Sequence, residues 1–237
     1  MKKIYITGSS RGLGKALAEK YLETGDLVVG MSRSCSISAK NYKHHTIDLS
    51  DPKAVASFKF DLEGDYGAVI LINNAGTLGD IKHIGEIDSE SIAKAIQLNV
   101  SSPMMLANQF AAAKCNQNCK KYVLNIGSGA STNAVDGWGV YCASKAAIDM
   151  FNMVFEVESK RKNKNTQMKT IAPGIIDTAM QAEIRGSNPE QFFEVMRFIN
   201  YKDENELATP KEVAKKIVRN FETIFKNENT IQSIRNY

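Results

Sequence analysis

Short apolar, β-branched runs alternate along the whole chain with longer stretches whose apolar residues return every three or four positions. Strands are expected at KKIYIT (residues 2–7), LVVGM (27–31), HHTID (44–48), GAVILIN (67–73), KYVLNIG (121–127), MKTIA (168–172) and TIQSI (230–234). Helices are expected in LGKALAEKYLETG, which stops at Gly25, and around PKAVASFKFDL, SIAKAIQLNVSSPMMLANQFAAAK, VYCASKAAIDMFNMVFEVESK and PKEVAKKIVRNF. Such alternation builds a parallel sheet wound right-handed, with helices on both faces and ligands beyond the carboxyl ends of the strands. The 237 residues, 43% hydrophobic, suffice for one core of this kind, and no repeat, low-complexity tract or linker divides residues 1–237.

Residues that carry function should therefore follow strands. After the first comes TGSSRGLG, where Gly8, Gly12 and Gly14, with Ser10 and Leu13 between them, lead directly into a helix. Glycines let the backbone approach closely, and the free N–H groups at the helix start form a seat for phosphate. By itself the pattern is weak, because three glycines also make an ordinary loop. With the strand before it and the helix after it, the expected fold class is a single-domain α/β Rossmann fold, a doubly wound parallel sheet of about seven strands.

Charge and cysteine usage narrow the context. The formal net charge is +4, and the densest basic run, SKRKNK at 159–164, reads as the solvated end of a helix, so no nucleic-acid partner is expected. MKK is followed by too short an apolar run for a signal sequence, and no stretch is long enough to span a membrane. Cys35, Cys115, Cys119 and Cys142 lack paired metal spacing; free thiols in a cytoplasmic protein are expected, CNQNC reads as a helix end, and no metal is expected.

Past the fourth strand stands NNAG (Asn73 to Gly76, with Asn74 and Ala75), past the fifth Ser128, and thirteen positions later Tyr141 opens YCASK, ending at Lys145. With TGSSRGLG, Asn99 in LNV and PGIIDT (Pro173, Gly174, Ile176, Thr178), these motifs stand in the order that marks the short-chain dehydrogenase/reductase family, which the chain resembles over essentially its whole length. The resemblance implies a nicotinamide cofactor, a catalytic set of Ser128, Tyr141, Lys145 and Asn99, and a PGIIDT segment that clasps the nicotinamide carboxamide. It gives Tyr141 and Lys145 contacts to the nicotinamide ribose, and Asn99 a water that reconnects Lys145 to solvent. It places Asp48 and Leu49 beside the adenine. It also implies a homodimer or homotetramer, through the long helices expected at 89–113 and 139–160.

The chemistry accounts for these residue types. Hydride transfer to a carbonyl builds negative charge on its oxygen, so a proton donor and a hydrogen-bond donor must converge there, roles for Tyr141 and Ser128. Lys145, four residues after Tyr141 on one helix face, is expected to lower the phenol pKa by its charge. An acidic residue near the end of the second strand would select NAD. Here Ser32 occupies that place, Arg33 follows it and Arg11 projects from the glycine loop, so NADP(H) is the expected cofactor, two guanidinium groups suiting a 2′-phosphate.

The stretches GWGVYCASKAAIDM and APGIIDTAMQ resemble sepiapterin reductases and bacterial benzil reductases, and imply a small-molecule ketone or vicinal dicarbonyl substrate. Sepiapterin reductases carry a pterin-anchoring aspartate near the C-terminus, whereas this chain has Ser233 near that place, which favours a dicarbonyl or aryl ketone. Trp138 and NPEQFFEVMRFINY are expected as an aromatic wall and lid, within a substrate-lid segment at about 178–208. The alternatives are a ketoreductase acting on carrier-bound 3-oxoacyl chains and a nucleotide-binding sensor without turnover.

Overall fold

A computed structural model describes residues 1–162 and 165–237. Its strands are β1 (Lys2–Thr7), β2 (Leu27–Ser32), β3 (Tyr42–Thr46), β4 (Ala68–Asn73), β5 (Lys120–Ile126), β6 (Thr166–Ala172) and β7 (Ile231–Ser233). They form one parallel sheet in the order β3-β2-β1-β4-β5-β6-β7. The winding direction reverses between β1 and β4, so a crevice opens past their carboxyl ends.

The described helices are α1 (Gly12–Glu23), α2 (Pro52–Ser57), α3 (Ser89–Ile96), α4 (Ser102–Ala112), α5 (Gly139–Lys162), α6 (Ala179–Arg185), α7 (Val195–Asp203), α8 (Pro210–Arg219) and α9 (Phe221–Lys226). Strand alternation decides which face each covers. Ile4 and Ile6 of β1 point into a core shared with Leu17 of α1, Ile217 of α8 and Ile224 of α9. Tyr5, between them, points the other way, into a core with Val55 of α2, Phe110 of α4 and Phe155 of α5. No helix among the described residues is long and apolar enough to cross a membrane.

Three elements depart from the sequence reading. The third strand lies two residues earlier than expected, at 42–46 rather than 44–48, because Tyr42 pairs with Val28 and its hydroxyl reaches Ser9 Oγ at 3.2 Å. The helix expected across PKAVASFKFDL ends at Ser57, and Phe58 is extended, with ψ at 136°. There the alternation Phe58–Phe60–Leu62 has period two. Phe58 and Phe60 pack edge-on against Tyr5, and Phe60 against Phe110.

The helix expected over 89–113 is also interrupted, by a π-helical turn at Gln97–Ser101. Pro103 has no N–H to offer the carbonyl of Asn99 four residues back, so the ladder widens at that point. The SKRKNK run begins within the last turns of α5, and its residues 163 and 164 lie outside the described residues. CNQNC follows the end of α4, and all four cysteines are free.

Candidate active site

The loop from β1 to α1 is shaped by its glycines. Gly8 and Gly12 take φ values of +68° and +56°, in the left-handed region. A Cβ on Gly14 would overlap the Gly8 carbonyl and the Asn74 side chain, so the helix can seat against the loop only with glycine there. The first turn of α1 carries no acidic residue, and Arg11 at its N-cap makes no side-chain cap. Those amide groups are therefore open to an anion from the crevice.

NNAG is locked to the same strand end. Thr7 Oγ1 accepts from the amides of Asn74 (2.9 Å) and Ala75 (3.0 Å), and Asn74 Nδ2 donates to the Thr7 carbonyl at 3.0 Å. The crevice is a single cleft of about 2100 Å³. Gly8, Ser10, Arg11, Gly12 and Leu13 line it from the first loop, Ser32, Arg33, Asp48 and Leu49 from the ends of β2 and β3, and Asn74, Ala75 and Gly76 from NNAG. Ser128, Tyr141 and Lys145, then Pro173, Gly174, Ile176 and Thr178, complete the set. Of the sequence candidates, Gly14 and Asn99 lie behind this lining.

The loop shape, the uncapped amides and the donors on this lining suit a dinucleotide. Its adenosine end would lie toward Arg11, Arg33 and Ser32. There Ser32 is buried with its Oγ donating to the Ser34 carbonyl at 2.9 Å, whereas both arginines are exposed. Arg33 also faces Asp48, whose carboxyl is held below its ordinary range mainly by the Ser50 hydroxyl and amide, and less by that guanidinium.

At the other end, the Ser128 hydroxyl faces that of Tyr141, and Lys145 Nζ lies 5.7 Å from the Tyr141 ring centre while donating to the Ile126 carbonyl at 2.9 Å. Burial pushes the Tyr141 phenol above its ordinary pKa; Ser128 pulls it down without overcoming that. Burial also brings Lys145 down to about 8. The expected lowering of the phenol by Lys145 is not seen here, where its Nζ lies over the Tyr141 ring and donates to the Ile126 carbonyl. At neutral pH Tyr141 is therefore a protonated donor beside a cation.

Asn99 is held by both ends of its side-chain amide. Its Oδ1 accepts from the Thr77 amide (2.9 Å), and its Nδ2 donates to the Thr77 carbonyl (2.8 Å) and Ser144 Oγ (3.1 Å), so it braces the loop after β4 against α5.

Over Tyr141 sits an aromatic layer. Trp138 meets it edge-on at 5.5 Å and stacks on Phe192 at 5.6 Å, with Phe198 and Tyr201 continuing outward along α7. The two ends of the segment carrying Phe192, Phe198 and Tyr201 are tied to each other, the Asp177 amide donating to the Ala208 carbonyl at 2.9 Å and the Ala208 amide to that of Ile175 at 3.1 Å. Asp177 also ion-pairs Lys202 of α7 and Arg185 of α6.

Sequence reasoning missed the tie on the far side. Asp136 accepts from the Phe193 amide at 3.1 Å and meets His83 at 3.3 Å. No motif signals a contact between residues more than fifty apart.

A family model described as short chain dehydrogenase matches residues 2–189. The benzil reductase ((S)-benzoin forming) of Bacillus cereus is 35% identical, over 94% of this chain and 95% of its own. The sepiapterin reductase of Rattus norvegicus is 31% identical, over 74% of each chain. A short chain dehydrogenase/reductase structure from Saccharomyces cerevisiae superposes with a TM-score of 0.82, covering 99% of this chain and 96% of that one at 22% identity.

Proposed function

The chain belongs to the short-chain dehydrogenase family, whose members bind a nicotinamide cofactor, and on that premise we propose that it is an NADPH-dependent carbonyl reductase acting on aryl ketones or vicinal dicarbonyls. The observation that carries this reading is the Tyr141 hydroxyl, buried, faced by Ser128 and opening on a cleft walled by Trp138, Phe198 and Tyr201. When bound, the nicotinamide supplies the hydride. Ser128 donates a hydrogen bond to the substrate oxygen, and Tyr141 gives it a proton as charge develops there. Lys145 stabilises the phenolate this leaves, and Trp138 offers a flat apolar surface to an aryl group.

A substrate panel followed by loss of NADPH absorbance tests the reading. Benzil is expected to be reduced to its hydroxyketone with a higher kcat/KM than sepiapterin. Ser233 lines the cleft where a carboxylate would be needed to pair with a pterin guanidine, and a hydroxyl cannot replace that charge. Equal or better use of sepiapterin would reverse the ranking, and preference for a 3-oxoacyl thioester would favour the fatty-acid ketoreductase reading. No turnover of any ketone would leave a nucleotide sensor.

The pH profile is a second check. Lys145, with a pKa of about 8, is an ammonium ion below that value and loses its proton as pH rises through it. Reductive kcat should therefore be level below about pH 7 and fall above about 8, by close to tenfold per unit. Oxidation of the alcohol needs the phenolate and should rise over the same range. A reductive kcat unchanged to pH 10 would separate Lys145 from the chemistry.

Met150, Met153, Val154 and Val157 leave an apolar stripe exposed on α5, which supports a homodimer or homotetramer built through that helix; light scattering would report its mass.

A further inference from the structure

Asp149 lies on α5 one turn beyond Lys145 and two beyond Tyr141, so the three side chains share one helix face. It is only 5% exposed, and neither of its carboxylate oxygens has a hydrogen-bond partner. The hydroxyls of Ser131 and Thr170 are turned toward it and favour its ionised form. Ser131 Oγ donates to the Ser128 carbonyl at 2.9 Å, and Thr170 Oγ1 accepts from Asn152 Nδ2 at 2.7 Å. A buried carboxyl with so few donors is costly unless an opposite charge answers it.

The opposite charge is Lys145, partly buried, with the Ile126 carbonyl as its hydrogen-bond partner. Burial drives the two groups toward their neutral forms, Lys145 down and Asp149 up, and each acts on the other in the opposing sense. Of the groups facing the pair, Tyr141 and Cys142 lie on the same helix; the turn at 129–131 presents Ser131, β6 presents Thr170, and the end of β5 presents the Ile126 carbonyl.

We propose that Asp149 is a positioning residue of this site, its buried carboxylate holding Lys145 as an ammonium ion so that positive charge stays next to Tyr141 when its hydroxyl gives up a proton. The proposal rests on the carbonyl-reductase reading for its consequence in turnover, but the charge coupling itself exists without substrate.

Asp149→Asn keeps the side-chain shape and removes the charge. In the cofactor-free protein, NMR titration of ¹³Cε-labelled lysines, with the Lys145 signal identified by its loss in Lys145→Arg, should give a wild-type midpoint near 8. In Asp149→Asn that midpoint should fall by about one unit or more, the usual effect of losing a nearby opposite charge. The alkaline limb of reductive kcat should move down with it, while Asp149→Glu restores most of the shift, which loss of packing alone would not produce.

A Lys145 midpoint in Asp149→Asn that stays within about 0.3 unit of wild type would overturn the proposal, being too small for an opposite charge one helical turn away in a buried site. A wild-type ¹³Cγ signal showing Asp149 still protonated at pH 7 would overturn it equally, and needs no variant. Because the lysine titration requires no turnover, failure of the reductase reading and failure of this coupling are separate results.

Discussion

Tyr141→Phe should lower ketone reduction by at least about 100-fold in kcat while leaving the affinity for NADPH nearly unchanged. The substitution removes one oxygen. The ring that meets Trp138 edge-on at 5.5 Å stays, so the aromatic layer above it has no reason to collapse. What is lost is the proposed proton donor, a contribution on the order of 100- to 10,000-fold for a positioned general acid. The remaining Ser128 hydroxyl still polarises the substrate carbonyl, which sets the residual rate above zero.

Lys145→Ala should differ in kind, harming both turnover and cofactor affinity, since the ammonium carries the charge of the site. Cofactor affinity from quenching of protein fluorescence, with steady-state kcat measured beside it, separates the two variants. Near wild-type reduction by Tyr141→Phe would remove Tyr141 from the role of acid.

The fold was legible because two periodicities alternate cleanly. Ile4, Tyr5 and Ile6 point to opposite cores in strict succession, and a strand buried on both faces reads as a short apolar run. The site was legible for a related reason: in a doubly wound sheet every loop past a strand's carboxyl end faces the crevice, so residues far apart in sequence share it without further argument.

Position along the chain says nothing of where a side chain spends its hydrogen bonds. Asn99 falls at the expected place, yet its amide is occupied by Thr77 and Ser144, contacts set by the π-helical turn ahead of Pro103. Phe58 and Phe60 failed as a helix because three-dimensional neighbours, Tyr5 and Phe110, reward an extended chain there. The His83–Asp136–Phe193 tie and the isolation of Asp149 likewise arise only when separate elements meet.

Cofactor preference depends on the opposite end of the cleft from Tyr141. Arg11 and Arg33 are exposed at its rim, and Ser32 occupies the place where a carboxylate would repel a phosphate. If both guanidinium groups grip the 2′-phosphate, each charge-assisted contact is worth roughly 1.5 to 3 kcal/mol, with the low end appropriate because the site is solvated. Two contacts at that low end, about 3 kcal/mol, correspond to more than a 100-fold preference for NADPH over NADH in kcat/KM.

Asp48 trims this figure without cancelling it, since its carboxylate faces Arg33 but is itself held by Ser50. Arg11→Ala with Arg33→Ala should therefore remove most of the preference while sparing turnover with NADH, because the proposed proton donor, Tyr141, lies at the far end of the cleft. Added salt should narrow the wild-type preference as well, exposed pairs being screened over about 10 Å at 0.1 M. Steady-state kinetics with both cofactors decides the matter: a wild-type enzyme that used NADH as well as NADPH would place both arginines in solvent and leave the choice of cofactor to the rest of the cleft.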